Sequence, residues 1–182
     1  MAKLIVCLTG MPGAGKSTIA DGLKSKGYEI INMGNAVRNE AKRRNLEPTG
    51  PNLGKLMLEL REKNGPGAVA ELVKPEIENS KSNVIIIDGI RSSPEIEVLK
   101  NYGKVKLLAI HASTNTRFGF LQNRGRSDDP KTKENFEDRD TRELGVGISN
   151  PIALSDDAIS NNNLTKEELV DLSFKKIEEW LK

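Results

Sequence analysis

The sequence predicts an α/β fold, a parallel sheet covered by helices on both faces. Three observations carry this. Apolar runs alternate with segments of helical periodicity along the chain. The run 83-NVIIID-88 is apolar without alternation, as in a strand buried on both faces. Finally, 182 residues, 36% of them apolar, suit one domain, 1–182, with a substantial core.

The first strand is Leu4–Thr9, and the helix after it runs from Ser17 to about Lys26, where Gly27 stops it. A short second strand is 28-YEIIN-32. Residues 35–79 read as helical, broken at 48-PTGPN-52 and 64-NGPG-67; Leu53, Leu56, Met57 and Leu60 recur at helical spacing. The third strand ends at Asp88, and a helix near Pro94–Asn101 leads to the fourth, 104-KVKLLAIHA-112. A helix near Thr114–Gln122 precedes a very polar segment. The fifth strand, near 157-DAIS-160, is weakly patterned. The last helix opens with Thr165 and Glu168 at capping-box spacing, and its Phe174, Ile177 and Trp180 read as core contacts. No internal repeat or low-complexity linker interrupts this order.

A formal net charge of +2 is too small to argue for a nucleic-acid partner. No run reaches the ~18 apolar residues of a membrane span. The N-terminal apolar run is short for a secretory signal. The one cysteine, Cys7, lies inside the first strand, so a buried thiol is expected there. These features favour a cytoplasmic protein.

The first strand runs into 10-GMPGAGKST-18, which fits G-x-x-x-x-G-K-[ST] with a strand before it and a helix after it. Glycines let backbone N–H groups turn inward around a polyphosphate, and the helix start adds its positive dipole end. Gly10, Pro12, Gly13, Ala14, Gly15, Lys16, Ser17 and Thr18 are therefore candidates to hold ATP. Lys16 would reach the β- and γ-phosphates, and Ser17 would place its hydroxyl on Mg²⁺. A Gly-rich turn without a ligand would leave a lysine at a helix start, where a cation is unfavourable. Asp88, at the end of an apolar strand, is the candidate second carboxylate for the metal, because a buried charge there needs a cation or a partner. It also reads as a cap for the turn 89-GIRSS-93.

With this loop, 33-MGNAVR-38 after the second strand and 88-DGIR-91 after the third, the chain resembles the nucleoside monophosphate kinases. The match is closest to an archaeal adenylate-kinase-related group, sometimes labelled dephospho-CoA-kinase-like. Its members carry segments similar to 55-KLMLELREKNGPGAVA-70 and 124-RGRSDDP-130. The resemblance implies a three-layer P-loop NTPase fold, sheet order 2-3-1-4-5, an acceptor-binding helical insert at about 34–80 and a short helical lid at about 122–143. It implies an AMP-like acceptor held by Gly34, Asn35, Arg38, Gly89 and Arg91. Arg38 and Arg91 would grip the acceptor's phosphate with forked donors, at the carboxyl edge where open α/β sheets bind ligands. Arg38 also reads as a solvated residue of the charged run 38-RNEAKRR-44, and Arg61 as a partner of Glu59 or Glu62. The chain departs from the kinase pattern in having Asn35 for an aspartate and Ile90 directly before Arg91. An amide cannot serve as a base, which favours an acceptor that is already ionised over a hydroxyl.

The stretch 122-QNRGRSDDPKTKENFEDRDTRE-143 holds six Lys/Arg and seven Asp/Glu. Lys131, Lys133, Glu134 and Glu137 read as a solvated, ion-paired helix face. Its arginines also fit a closing lid that neutralises charge on a moving phosphoryl group. Gly125, Arg126, Asp128 and Asp129 match the kinases' G-R-x-D-D lid segment. Arg124, Arg126, Arg139 and Arg142 are the lid candidates, the last two sharing a helix face at i,i+3. The resemblance places Arg117 over the donor's adenine and Asn161, in 161-NNNL-164, at its border; the latter stretch also reads as a polar turn. The absence of cysteines excludes a zinc-bearing lid. His111 is read as structural. Three activities fit: transfer to a nucleoside monophosphate such as AMP, phosphorylation of a hydroxyl such as that of dephospho-CoA, and a P-loop switch driving a macromolecular partner. A switch needs neither acceptor nor lid arginines, and no Gln or Glu is obviously placed to aim a water.

Overall fold

The computed structural model describes residues 3–182. Its centre is a five-stranded parallel sheet: β1 (Leu4–Thr9), β2 (Glu29–Asn32), β3 (Val84–Ile90), β4 (Lys104–His111) and β5 (Asp157–Ser160), ordered β2-β3-β1-β4-β5. Helices α1 (Lys16–Ser25), α2 (Met33–Arg43), α3 (Gly50–Asn64), α4 (Ala68–Glu71), α5 (Lys74–Asn79) and α6 (Ser93–Lys100) fill the first half. Helices α7 (Thr114–Arg124), α8 (Lys133–Val146), α9 (Ser149–Ala153) and α10 (Lys166–Leu181) fill the second. Of the described helices, none is long and apolar enough to cross a membrane.

Alternation along β1 sorts the core into two layers. Ile5 and Cys7 face a cluster that includes Leu53, Leu56 and Leu60 of α3 and Ile77 of α5. Leu4, Val6 and Leu8 face the other side, with Ile19 and Leu23 of α1 and Leu169 and Ile177 of α10. Phe174 and Trp180 pack against that second layer. Both faces of β1 are therefore dry, which is why its sequence shows no polar alternation. Cys7 lies between Ile87 and Leu107, and burial pushes its thiol far up, so it is inert.

Several boundaries differ from the sequence reading. β3 continues two residues past Asp88. Pairing with β1 slips at this point, from Leu8–Asp88 to Thr9–Ile90, so Gly89 is a bulge residue, with φ 105°. Ile90 resumes the ladder opposite Thr9, whose hydroxyl donates to the Ile90 carbonyl at 3.0 Å. The break expected at 48–52 is present but lies earlier, at 44–49 between α2 and α3: Thr49 caps α3 and Pro51 sits in its first turn. The sequence 122–143 forms the end of α7, a loop at 125–132 and most of α8. Lys131, Lys133, Glu134 and Glu137 are exposed there, as expected. His111 is also exposed, its carbonyl accepting from the Asn161 N–H at 2.7 Å.

Candidate active site

The carboxyl ends of β1, β2, β3 and β5 open into a cleft of about 470 Å³. Gly10, Pro12, Gly13 and Gly15 line it from the loop after β1. Gly10, Gly13 and Gly15 have φ of 140°, 84° and 113°, a region that L side chains rarely adopt. The reason for glycine here is pressure from behind the loop as much as access from the front. A Cβ on Gly10 would lie 2.2 Å from the Ile110 carbonyl oxygen, and one on Gly15 would lie 2.5 Å from the Asn161 amide. Lys16 opens α1 and donates its ammonium to the Gly10 and Met11 carbonyls at 2.5 and 3.2 Å. Burial pushes its pKa down to about 8, against the pull of Asp88.

Gly10, Pro12, Gly13, Gly15, Lys16, Ser17, Thr18, Gly34, Arg38, Asp88, Gly89, Arg91, Arg124, Arg126, Arg139 and Asn161 all line the cleft. Four sequence candidates do not. Ala14 turns inward and is fully buried in the core layer with α1 and α10. Asn35 is exposed in the first turn of α2, where its side-chain oxygen accepts from Arg38 at 3.1 Å. It orients that arginine. Arg117 is buried beneath the loop: it donates to the Pro12 carbonyl and to both oxygens of Asp140, and lies 4.8 Å over the Phe136 ring. It therefore ties α8 to the phosphate loop; Phe120, which the sequence reading did not single out, lines the cleft together with Leu164 of the 161–164 turn. Arg142 faces away from the cleft, its guanidinium stacked on Gly54 of α3, so Arg139 is the member of the pair that reaches the main site.

The cations in the cleft are held by anions. Arg38 donates to both oxygens of Asp128 at 3.0 and 2.9 Å, while Arg124 and Arg139 pair with Asp129. The guanidinium of Arg126 has no ion pair among the described residues; burial, with Arg124 and Arg38 nearby, pushes its pKa down. Glu95 is the missed residue that matters most for shape. Fully buried, it accepts from the Arg91 and Ser92 N–H groups and from Arg61 at 2.7 Å. Arg61 thus pairs with neither Glu59 nor Glu62. The Ser92–Glu95 spacing is a capping box, the signal that could have found it.

A family model described as an AAA domain matches residues 9–137, well over half of the chain. A UPF0200 protein of Hyperthermus butylicus is 43% identical over 166 residues, 91% of this chain and 89% of the relative. Another, from Pyrococcus abyssi, is 42% identical over 165 residues, 88% of each. The chain is a UPF0200 protein with an AAA domain. Among solved structures, TT1252 from Thermus thermophilus is similar at TM-score 0.68, with 17% identity and 98% of both chains covered. Shikimate kinase from Acinetobacter baumannii, in complex with shikimate, is similar at TM-score 0.61, with 15% identity and 98% and 94% covered. At such identities the likeness is one of fold, and the sheet order expected of a P-loop fold is the one present.

The residues suit a magnesium ion. Asp88 is 3% exposed; one oxygen accepts from the Asn32 amide at 2.6 Å, and the other, Oδ1, is buried without a partner. Burial pushes its carboxyl up, against Lys16, Arg126, Arg91 and Arg124. Asp88 and Ser17 line the same cleft. A buried carboxylate with one oxygen unspent, in the same cleft as a hydroxyl, is the sparse protein contribution that Mg²⁺ accepts when phosphates and water complete its shell. Asp88 does not cap the following turn: its Oδ2 accepts from Asn32, and the Arg91 and Ser92 N–H groups donate to Glu95.

Proposed function

We propose that this protein is an ATP-dependent phosphotransferase that moves the γ-phosphate of ATP to a nucleoside monophosphate, AMP foremost. The supporting observation is the gathering of five arginines (Arg38, Arg91, Arg124, Arg126 and Arg139) around one cleft that also holds Lys16 and Asp88. Two clusters of phosphate oxygens would occupy such a set. A single triphosphate on the loop would not use them all, and Arg38 and Arg91, which pair with Asp128 and Glu143 here, are then available to a second anion.

In this reading the loop N–H groups and Lys16 hold the donor's phosphates, and Arg38 and Arg91 hold the acceptor's phosphate. Ser17 and Asp88 would hold Mg²⁺, which would neutralise charge on the donor's phosphate oxygens. Arg124, Arg126 and Arg139 approach from the α7–α8 connection and stabilise the charge of the phosphoryl group in flight. Asp128 and Asp129 keep these arginines aimed and exchange them with the ligands' phosphates. An acceptor phosphate is already ionised, so no base is needed. The protein would act on small molecules, without nucleic acid or membrane, in the cytoplasm. Residues 34–80 would serve as the acceptor-binding insert and 122–143 as the lid of a single domain.

A second reading, a hydroxyl acceptor such as dephospho-CoA, draws on the unpartnered Oδ1 of Asp88, which could take a hydroxyl proton. A panel of AMP, CMP, UMP, GMP, dTMP and dephospho-CoA with ATP and Mg²⁺, read by product mass, separates the two. Transfer to a monophosphate is expected. Transfer only to dephospho-CoA would establish the second reading, and rapid ATP hydrolysis indifferent to every acceptor would favour a switch acting on a macromolecular partner.

A further inference from the structure

A second, smaller cavity of about 30 Å³ lies between α2, α3 and α8. Gly34, Arg38, Arg91 and Arg139 line both it and the main cleft, so the two are adjacent. Its apolar wall is Val37, Leu53 and Met57; its polar wall includes Arg142 and Glu143.

Glu143 is the unusual member. It is 1% exposed, and neither carboxylate oxygen has a hydrogen-bond partner. Its one ion pair, to Arg91 Nε at 3.1 Å, lacks hydrogen-bond geometry. The Nε groups of Arg139 and Arg142 are likewise buried and unpartnered. Four of the seven such atoms among the described residues are thus in this one corner. Leaving a carboxylate's acceptor capacity unspent in a dry site is costly, and the cost is recovered when a ligand supplies the donor.

We infer that Glu143 is a specificity-determining residue, which accepts a hydrogen bond from an amino or hydroxyl group of the acceptor molecule. This rests on the phosphotransferase reading above. Arg38 and Arg91 fix the acceptor's phosphate, and the rest of that molecule extends along α2 and α3 toward Glu143. The cavity admits one small polar group and no ring, so it reads a single substituent. An ionised carboxylate accepts only, so the substituent must be a donor. An acceptor lacking it would leave the Glu143 oxygens without a hydrogen-bond donor, the form of discrimination that buried polar groups provide best.

The test is steady-state phosphotransfer with AMP, its analogue without the 6-amino group (purine riboside 5′-monophosphate), and 2′-deoxy-AMP. Wild-type protein is compared with Glu143→Gln and Gly54→Ala. In the wild type, removing the group that Glu143 contacts should lower kcat/KM about ten- to a hundredfold, as for a hydrogen bond to a charged group; which analogue suffers tells amino from hydroxyl. In Glu143→Gln the penalty should shrink to a few-fold. A methyl on Gly54 would lie 2.8 Å from the Arg142 guanidinium and crowd the cavity without removing a polar group. Gly54→Ala should raise KM for AMP and leave the deletion analogue unchanged, and it supplies the test if Glu143→Gln fails to fold. The inference is overturned if no analogue is discriminated, or if both variants lower kcat/KM for all three acceptors by one common factor, as a purely structural role requires. Transfer to none of them by the wild type would overturn AMP as the acceptor, and the acceptor panel then decides whether the phosphotransferase reading stands.

Discussion

Lys16 offers the sharpest test, because pH should move ligand binding and stability in opposite directions. Its ammonium is buried among the loop carbonyls, and burial lowers its pKa from 10.5 to about 8. Holding a polyphosphate requires the charged form. Nucleotide affinity should therefore be level up to about pH 8 and then fall about tenfold per pH unit, roughly tenfold weaker at pH 9 than at pH 7. For stability the sign is reversed. The folded-state pKa lies below the unfolded one, so between about pH 8 and 10.5 the unfolded chain binds the extra proton. Stability contributed by this group rises across that window, with a ceiling of ~3 kcal/mol from the shift. The assay is calorimetric titration of a non-hydrolysable ATP analogue with Mg²⁺ from pH 7 to 9.5, in buffers of different ionisation enthalpy. Proton uptake on binding should appear near pH 8. Asp88→Asn removes a neighbour that raises the lysine's pKa, so the break should move to lower pH. A Kd that stays flat from pH 7 to 9 in the wild type would refute the reasoning.

Three further outcomes are expected. Arg126→Ala should lower kcat by about a hundredfold or more while leaving ATP binding nearly intact, since its guanidinium has no ion pair to lose among the described residues; equal losses in stopped-flow binding and in kcat would mean uniform binding. Glu95→Ala strips three donors of their buried acceptor and should cost about 3–5 kcal/mol in denaturant unfolding, with Glu95→Gln less damaging. Gly10→Ala forces a methyl onto the Ile110 carbonyl at a φ of 140°, and should destabilise by at least ~2 kcal/mol in thermal unfolding as well as weaken nucleotide binding.

The two kinds of residue differ in how legible they were. The strand–loop–helix of residues 4–25 is local: an unbroken apolar run, glycines at fixed offsets and a helix start are all within one stretch of chain. The capping boxes at Ser92 and Thr165 are legible for the same reason. Asp88 was found because a carboxylate at the end of an apolar run is conspicuous, but the bulge at Gly89 was not, since it arises from pairing with Thr9 of another strand. Arg117 shows the limit more clearly. Nothing in 114-TNTRFGFLQNR-124 says that its fourth residue turns beneath the phosphate loop to meet Asp140, some twenty residues on.

By itself the sequence determined the α/β class, the phosphate-binding loop, the arginine-rich character of the site and the edge of the sheet where it lies. Those follow from patterns with a period of two or 3.6 residues and from motifs contained in a single turn. Only the tertiary structure decided which arginine of the 139/142 pair enters the cleft, that Asn35 orients Arg38, that Glu95 anchors the turn carrying Arg91, and that Glu143 is a buried carboxylate beside the site. Helical spacing places side chains on a common face but leaves open how the helix is rotated. That rotation is set by what packs against it, here Gly54 under Arg142 and Arg117 against Phe136, contacts between residues far apart in the chain.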